Sequence, residues 1–506
     1  MKNFSAKKRA AVLSAVLLLG AAAASGKTIG DFRQLDQWSG LTAAELTAPN
    51  GDPAAVLPAG GTAVFEYTEH KTFLSGRAVD FSDMLDAVCV EDWYDYRYLE
   101  CWVNLPNADP VDLECTVIPL AVGRPDYAES LASTLRVQGE GWQRVVFPLH
   151  DFDYVRHQGA HWKHIHGLKI SASGNEDALL ISQPRLKKSR LVALGAAVKS
   201  KPVKAGETAV YDLQLENESA AVRTVSLVLE HTGWEACPAA LSETELSLQP
   251  WETKNVTLSV RMNELVAPGG RELRKITAIP DGRGDLKEEL SVITVRELPH
   301  PYLMHTEAGW AAVRQKAEAV EWAKAAKQEY IEKARNWRVP AARAKGDYSF
   351  NHKAGGDAET CAVAWNLSGD DALAQKVIRY LRAFSDPETG YPATARNSGA
   401  FVHRGMFFMH TARAYDLVYD HPSLTAADHA NMEASMRLFN GWVDYMLKTG
   451  DGNNHQDGLS AGALMNSLVM QDFEQAERFL YGTGGLLDLI GQGVLDDGQY
   501  FEGTAN

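Results

Sequence analysis

The sequence predicts a multidomain protein of β and α type, in which two β-sandwiches precede a helical domain. Its 506 residues exceed the size of a single hydrophobic core and suggest roughly three or four domains. Up to about Glu297, strand-like stretches are separated by turns, whereas from Leu298 onward apolar residues recur every three to four positions, the period of an α-helix. These changes predict domains over residues 27–190, 191–297 and 298–506, after a leader over residues 1–26.

The leader has the layout of a secretory signal peptide. Basic residues begin it, an apolar run covers residues 10–20, and small residues follow, with cleavage expected near Ala24 or Gly26. A membrane anchor is the alternative, but the apolar run is short for a span of about 20 residues. We therefore expect an exported protein, periplasmic or extracellular, with no membrane insertion once the leader is removed.

Charge and cysteine content narrow the possible partners. The formal net charge of −15 argues against a general nucleic-acid or membrane-surface partner, because both are polyanionic and attract fields of Lys and Arg. The five cysteines are widely spaced and carry no metal-site signature. We expect buried free thiols, or one bridge among Cys89, Cys101 and Cys115.

Residues 27–190 are predicted to form a β-sandwich, because YRYLECWVNL and GWQRVVFPLHDFDYV carry the aromatic and β-branched residues that sheets favour. The stretches WQRVVFPLHDF and WKHIHGLKISAS resemble the closing strands of galactose-binding-like jelly rolls found in carbohydrate-active enzymes. Histidines between His150 and His166 raise a metal-site alternative. Since His164 and His166 flank Ile165 on a predicted strand, we expect Ile165 to pack inward, and we expect neither a metal nor a cofactor.

Residues 191–297 show a cleaner alternation. In VYDLQLEN, Tyr211, Leu213 and Leu215 face one way, and NVTLSVRM repeats the pattern from Val256 to Met262. Period two with one apolar face predicts half-buried antiparallel strands, and the length suits an immunoglobulin-like sandwich. No chemistry is evident in this domain, so we expect a spacer.

The helical region begins with a capping signal. Thr306 can cap, and Glu307 can charge, the first turn of a helix that runs on to about Lys327, while Thr425 and Asp428 resemble a capping box. The stretches AWNLSGDDALAQKVI and SLVMQDFEQAERFL each join an apolar helix to a more polar one through a tight turn that contains Asp. This alternation predicts stacked helical hairpins, as in an α/α toroid or an incomplete arc of one; a superhelical repeat scaffold is the alternative.

The stretch GNNHQ joins two of these helices. The first is expected to end near Lys448 and the second to begin near Gln456 or one residue later, so that Asn453, Asn454 and His455 occupy the turn and the first helical turn. There the backbone N–H groups lack partners and anions are favoured. An ordinary turn with a capping residue is the alternative.

Four stretches resemble the heparinase II/III-like and alginate lyase group of polysaccharide lyases: HPYLMHTEAGW, RGMFFMHTARAYDLVYD, GNNHQ and DDGQYFEGTAN. The similarity covers Pro299 to Asn506. It implies an α/α toroid followed by an antiparallel β-sheet domain, with a substrate cleft between them, and cleavage of a uronic-acid polysaccharide by β-elimination. The family's principal catalytic tyrosine would follow Asn506, so the resemblance implies a chain that continues with that tyrosine and the sheet domain.

The resemblance also implies roles for residues of the GNNHQ turn. Asn454, or its neighbour Asn453, would receive the uronate carboxylate, and His455 would assist it or act as a base. A neutral amide donor suits this role, because it stabilises the charge that develops on an enolate-like intermediate.

Further substrate contacts are expected around this turn. His403 and Arg404 precede an apolar helix, where the family lines its cleft with basic residues, and an Arg can bind a carboxylate through two hydrogen bonds. Gln456, Tyr500 and Glu502 are the other candidates. The alternative for the first pair is a solvated helix start, and for Glu502 a cap or a surface ion pair.

Two other functions remain open. A toroid glycoside hydrolase would use Asp457, Asp497 and Glu502 as acid and base, and a non-catalytic glycan-binding protein would bind through the first sandwich. The lyase leads because amide, amide and imidazole suit elimination better than hydrolysis, which needs two carboxyl groups. The expected partner is an acidic polysaccharide.

Overall fold

The structure is a computed structural model and describes residues 27–67, 93, 95–119, 131–154, 162, 165–174, 176–232, 237–340, 352–391, 401–447 and 454–493. The predicted leader, Cys89, Asn453, Asp497, Tyr500 and Glu502 lie outside the described residues. Strands fill the described chain up to Arg296 and helices follow. The prediction of a β-rich first part and a helical second part is therefore confirmed.

The first part is a sandwich of two sheets. Its strands are β1 Lys27–Thr28, β2 Trp38–Ser39, β3 Thr42–Thr47, β4 Pro53–Leu57, β5 Thr62–Glu66, β6 Tyr98–Leu105, β7 Val111–Pro119, β8 Leu131–Val137, β9 Gly141–Pro148, β10 Asp153–Tyr154, β11 Ile165–Ser173, β12 Leu179–Ser182 and β13 Arg185–Lys187. A seven-stranded sheet has the order β1-β13-β6-β12-β4-β3, with β9 paired to β6, and a six-stranded sheet has the order β10-β8-β7-β11-β5-β2. All the pairings between these strands are antiparallel.

Along the central strands, every second side chain points into the core of this sandwich. Leu113, Cys115 and Val117 on β7 are fully buried, as is Ile165 at the start of β11, in agreement with its predicted inward packing. Cys101 of the facing sheet is buried and forms no disulfide, like every other cysteine that the structure describes. Burial raises the pKa of the Cys101 thiol to about 12, which makes it an inert core side chain.

The second part is a smaller two-sheet sandwich. Its strands are β14 Val192–Ala196, β15 Ser200–Val203, β16 Thr208–Asn217, β17 Arg223–Thr232, β18 Ala239–Leu241, β19 Glu245–Leu248, β20 Thr253–Arg261, β21 Arg271–Pro280 and β22 Glu288–Arg296. The sheets have the orders β14-β16-β20-β18 and β15-β22-β21-β17-β19. Tyr211, Leu213 and Leu215 are fully buried, and so are Val256 and Met262 with the alternate residues between them, which confirms the predicted faces.

The helices are α1 Glu307–Ala319, α2 Glu321–Asn336, α3 His352–Ser368, α4 Asp371–Ser385, α5 Phe401–Val418, α6 Ala426–Leu447, α7 Asn454–Val469, α8 Phe473–Tyr481 and α9 Leu486–Gly493. Thr306 caps α1 by accepting the Gly309 N–H, as predicted. The expected single helix to Lys327 is wrong, however, because Val320 is extended and separates α1 from α2. A β-branched residue is restricted in a helix, and the break lets α1 and α2 pack on each other.

The helices form two layers. In the inner layer, α3 packs on α5 and α5 on α7, while α2, α4, α6 and α8 cover the outside. Each inner helix is followed by an outer helix, and two of these turns are capped alike: Asp370 accepts the Ala372 N–H and Asp472 accepts the Gln475 N–H. The predicted capping box at α6 is also confirmed, since Asp428 accepts the Thr425 N–H and donates its own N–H to the Thr425 hydroxyl. Among the described helices, none has the length and hydrophobicity that a membrane span requires.

The second sandwich is bonded to the helices through the segment after β22 and through α8. The Gln471 side chain accepts the Leu298 N–H and donates to the Leu298 carbonyl. The Phe473 N–H donates to the Ser200 hydroxyl, and Lys199 pairs with Glu474 at 3.0 Å. This domain therefore braces the junction between α7 and α8, a contact that the spacer expectation did not include.

Candidate functional site

The backbones of α5 and α7 touch near the N-terminal ends of the two helices. A Cβ at Gly405 would overlap the carbonyl oxygen of Gly458, and a Cβ at Gly462 would lie 2.5 Å from the Gly405 carbonyl oxygen. Only glycine at these positions permits such an approach. The start of α5 is thereby held beside the start of α7.

The inner helices α3, α5 and α7 run in the same direction. Gly355, near the start of α3, lies against Phe407 of α5, and one turn further along Glu359 of α3 bonds to His410 of α5. At the other end, Tyr302 joins α5 and α7: its N–H donates to Asp416 and its hydroxyl to the Leu468 carbonyl. The three helices therefore begin at one edge of the layer, which we call the N-terminal edge, and finish at the opposite C-terminal edge. Their unpaired N–H groups and partial positive charges face the same side.

The predicted residues lie along the N-terminal edge. Asn454 and His455 are the first two residues of α7, so the helix begins two residues earlier than expected. His403 and Arg404 do not precede α5 but lie within its first turn. The structure describes the backbone of these four residues. Gly405 of α5 contacts α7 directly. The first turn of α5, with His403 and Arg404, therefore lies beside the first turn of α7, with Asn454 and His455.

Gln456, a predicted substrate-binding residue, is the third residue of α7 and is buried, with 7% of the residue exposed. Asp457, one of the three carboxyl candidates of the hydrolase alternative, is half-buried.

A stripe of partly exposed residues continues from the N-terminal edge along α5. Met406, Met409, His410 and Arg413 share one face at helical spacing, and Met406 is 39% exposed. The opposite face is packed into the core. On α7, Ala461, Leu464 and Met465 form the equivalent half-buried stripe.

The sequence reasoning missed one cluster on this stripe. The His410 Nδ1 lies within hydrogen-bonding distance of the Glu359 carboxylate of α3, and Arg413 Nη1 lies 3.5 Å from its other oxygen. Because the carboxylate holds Nδ1, the Nε2 atom points elsewhere, and Gly356 places no side chain beside it. Two polar residues three positions apart in the apolar run GMFFMHTARAYDLV were the available signal.

The C-terminal edge is occupied by satisfied structural contacts. Asp416 is buried and accepts the N–H groups of Tyr302 and Leu303 at 3.0 and 2.9 Å, and its other oxygen lies 2.7 Å from His300 Nδ1. Tyr415 bonds to His429 at 2.6 Å. Through these contacts Tyr415 and Asp416 join α5 to its neighbours. Among the described residues, no group of three His, Cys, Asp or Glu side chains is arranged to hold a metal ion.

No protein-family model matches the sequence, and no curated protein matches it significantly. Solved structures match parts of the chain. The family 11 carbohydrate-binding module from Clostridium thermocellum, in complex with a β-1,3-1,4-mixed-linked tetrasaccharide, shares 9% identity over 33% of this chain and 97% of its own, with a TM-score of 0.23. The FixG-related protein from Vibrio parahaemolyticus shares 10% identity over 22% of this chain and 99% of its own, with a TM-score of 0.17. At TM-scores this low, neither likeness assigns a function.

Proposed function

We propose that this protein is an exported polysaccharide lyase that cleaves a uronic-acid-containing polysaccharide by β-elimination. In this proposal the helices form an arc of an α/α toroid of heparinase II/III-like type, preceded by a jelly-roll and an immunoglobulin-like sandwich. The observation that supports it is the glycine contact between α5 and α7, because His403 and Arg404 lie in the first turn of α5, and Asn454 and His455 begin α7. The alternating inner and outer helices support the toroid.

The chemistry requires removal of the proton on C5 of the uronate. The C5–H electron pair becomes the C4=C5 double bond, the C4–O4 bond breaks, and O4 leaves with a proton from a general acid. An ionised carboxylate on C5 makes that proton hard to remove. Asn454, assisted by the N–H groups at the start of α7, would receive the carboxylate and stabilise the enolate-like charge.

The remaining residues would bind the chain and handle protons. His455 would act as the base or assist Asn454, and Arg404 would hold a carboxylate. A tyrosine, expected from the family pattern, would protonate the leaving oxygen. Arg413 and His410, fixed by Glu359, would extend the binding surface along α5. This elimination needs no cofactor.

Export also belongs to the proposal. Residues 1–26 combine a basic start with a short apolar run, which is the layout of a cleaved signal. Long acidic polysaccharides are met outside the cytoplasm, so the periplasm or the exterior is where this activity would operate.

Ultraviolet absorbance during digestion tests the proposal. The protein is incubated with alginate, with heparin and with a neutral glucan as control. A rise in absorbance from the conjugated C4=C5 bond, with an acidic polymer alone, is the expected result. New reducing ends without absorbance would establish the hydrolase instead, and binding without either signal would establish the non-catalytic glycan-binding protein.

A further inference from the structure

The outward face of the seven-stranded sheet carries an unusual block of side chains. Strands β6 and β9 pair antiparallel, with Trp102 opposite Arg144 and Asn104 opposite Trp142. Val103 between them is buried in the core, so these four side chains lie on the opposite, outer face. Aromatic and polar groups therefore alternate in both directions across two strands.

The distances within such a block match the size of a sugar. Directly opposite residues have Cβ atoms about 4.5–5.5 Å apart, and diagonal neighbours are about 7–8 Å apart. Trp102 and Trp142 are diagonal neighbours, and Arg144 and Asn104 occupy the other diagonal. Trp102 and Trp142 are both partly exposed, although the Trp102 indole nitrogen is itself buried, and the spacing of the block suits contact with one or two pyranose rings.

A charged network fixes Arg144 in place. Its Nε and Nη2 donate to Glu100 Oε2 at 3.0 and 2.5 Å, and Lys187 Nζ reaches the same oxygen at 3.2 Å. Glu100 and Lys187 are buried, whereas the Arg144 side chain is 39% exposed. A second buried carboxylate, Glu218, also acts electrostatically on Lys187, so the cations of this network are offset inside the protein and its exposed member is the arginine.

We propose that this block, Trp102, Asn104, Trp142 and Arg144, is a second glycan-binding site that takes an acidic sugar residue of a polysaccharide. The indole rings would lie against the apolar faces of the sugar rings, Asn104 would bond hydroxyl groups, and Arg144 would bind a carboxylate. The class of glycan rests on the proposed function, but the aromatic and amide pattern does not. The site would hold the polymer on the protein between cleavage events.

The test measures polymer binding in an Asn454→Ala/His455→Ala background, where the polymer is not consumed. Calorimetric titrations use alginate, heparin and a neutral mixed-linkage glucan. We expect Trp142→Ala to weaken binding of an acidic polymer by about tenfold or more, since truncation of a buried aromatic anchor commonly costs that much. Arg144→Gln should weaken the binding of acidic polymers and leave the binding of the neutral glucan unchanged.

Matched controls come from the same chain. Trp322 is 65% exposed on α2, and Arg136 lies on the other sheet in an exposed pair with Asp112, so Trp322→Ala and Arg136→Gln should bind like the parent. The proposal would be overturned if Trp142→Ala bound the acidic polymer as tightly as the parent. It would also be overturned if Trp322→Ala lost as much affinity as Trp142→Ala. Melting temperatures show whether Trp142→Ala remains folded, and Trp142→Phe, which keeps a ring, should retain most of the affinity.

This result can be separated from the fate of the lyase proposal. If the unmodified protein produces no ultraviolet absorbance but binds acidic polymers through Trp142, the lyase assignment fails and the second site stands. If absorbance rises while Trp142→Ala and Arg144→Gln bind like the parent, the lyase assignment stands and the second site fails.

Discussion

The two edges of the inner helical layer differ in how their polar groups are used. At the C-terminal edge, Asp416 is buried and its oxygens meet two backbone N–H groups and one imidazole. At the N-terminal edge, helices α5 and α7 touch through glycine, and the polar residues are amides, imidazoles and a guanidinium at the first helical turns. The difference teaches that the polar groups of the C-terminal edge are used in contacts within the protein, whereas our proposal assigns those of the N-terminal edge to an anionic substrate.

The glycine contact should show the largest effect on stability. We expect Gly405→Leu to destabilise the helical domain by about 4 kcal/mol or more, because its side chain would overlap the α7 backbone. Urea unfolding followed by circular dichroism measures the change. Gly441 lies within α6 with nothing near its Cβ position, so Gly441→Ala should instead stabilise by about 0.5–1 kcal/mol. Equal effects of the two substitutions would contradict the close approach.

Removal of the amide donor should have the largest effect on activity. Asn454→Ala is expected to lower kcat by about 10²–10³-fold, which corresponds to about 2.7–4 kcal/mol of lost transition-state stabilisation. Asn454→Asp should be at least as damaging, since it places a negative charge where our proposal places the substrate carboxylate. The initial rate of absorbance increase measures both. Asn107→Ala, in an exposed turn of the first sandwich, is the control, and full activity in Asn454→Ala would exclude this site.

Substitutions at the C-terminal edge should lower the free energy of unfolding rather than the catalytic rate. Asp416→Ala leaves the N–H groups of Tyr302 and Leu303 without their acceptor, at a cost of about 3 kcal/mol. Asp420 is exposed, so Asp420→Ala should change the free energy of unfolding by less than about 0.5 kcal/mol. Thermal melting distinguishes the two. If Asp416→Ala has the same melting temperature as the parent, the contacts of Asp416 do not stabilise the C-terminal edge.

The smallest effect concerns pH at the same edge. Burial lowers the pKa of His429 below its ordinary 6.5; Asp428 opposes this shift and His300 adds to it. The folded state therefore favours neutral imidazole, and the stability that His429 contributes is present above pH 6.5 and is lost as the pH falls through its folded pKa. The melting temperature should fall between about pH 7.5 and about pH 5.5, and less so in His429→Gln. An identical fall in both proteins would assign the pH dependence to other groups.

The ends of the helices show which features could be predicted from short stretches of sequence. Thr306, Thr425 and Asp472 cap helices where the sequence indicated caps or tight turns, because a capping bond spans only two or three residues. The start of α7 at Asn454 was placed two residues late, since a polar first turn gives no apolar period to count. The break at Val320 was missed for the opposite reason: the apolar period continues through it.

Period, caps and composition in the chain were enough to indicate sandwiches, helical hairpins and the polar turn at residues 453–456, because each of these signals acts within a few neighbouring residues. The ion cluster of Glu359, His410 and Arg413 joins residues on different helices, and the Trp102, Asn104, Trp142 and Arg144 block depends on the register of two strands. Contacts of this kind arise when elements pack, because the energy that sets a register or a helix contact belongs to both partners at once.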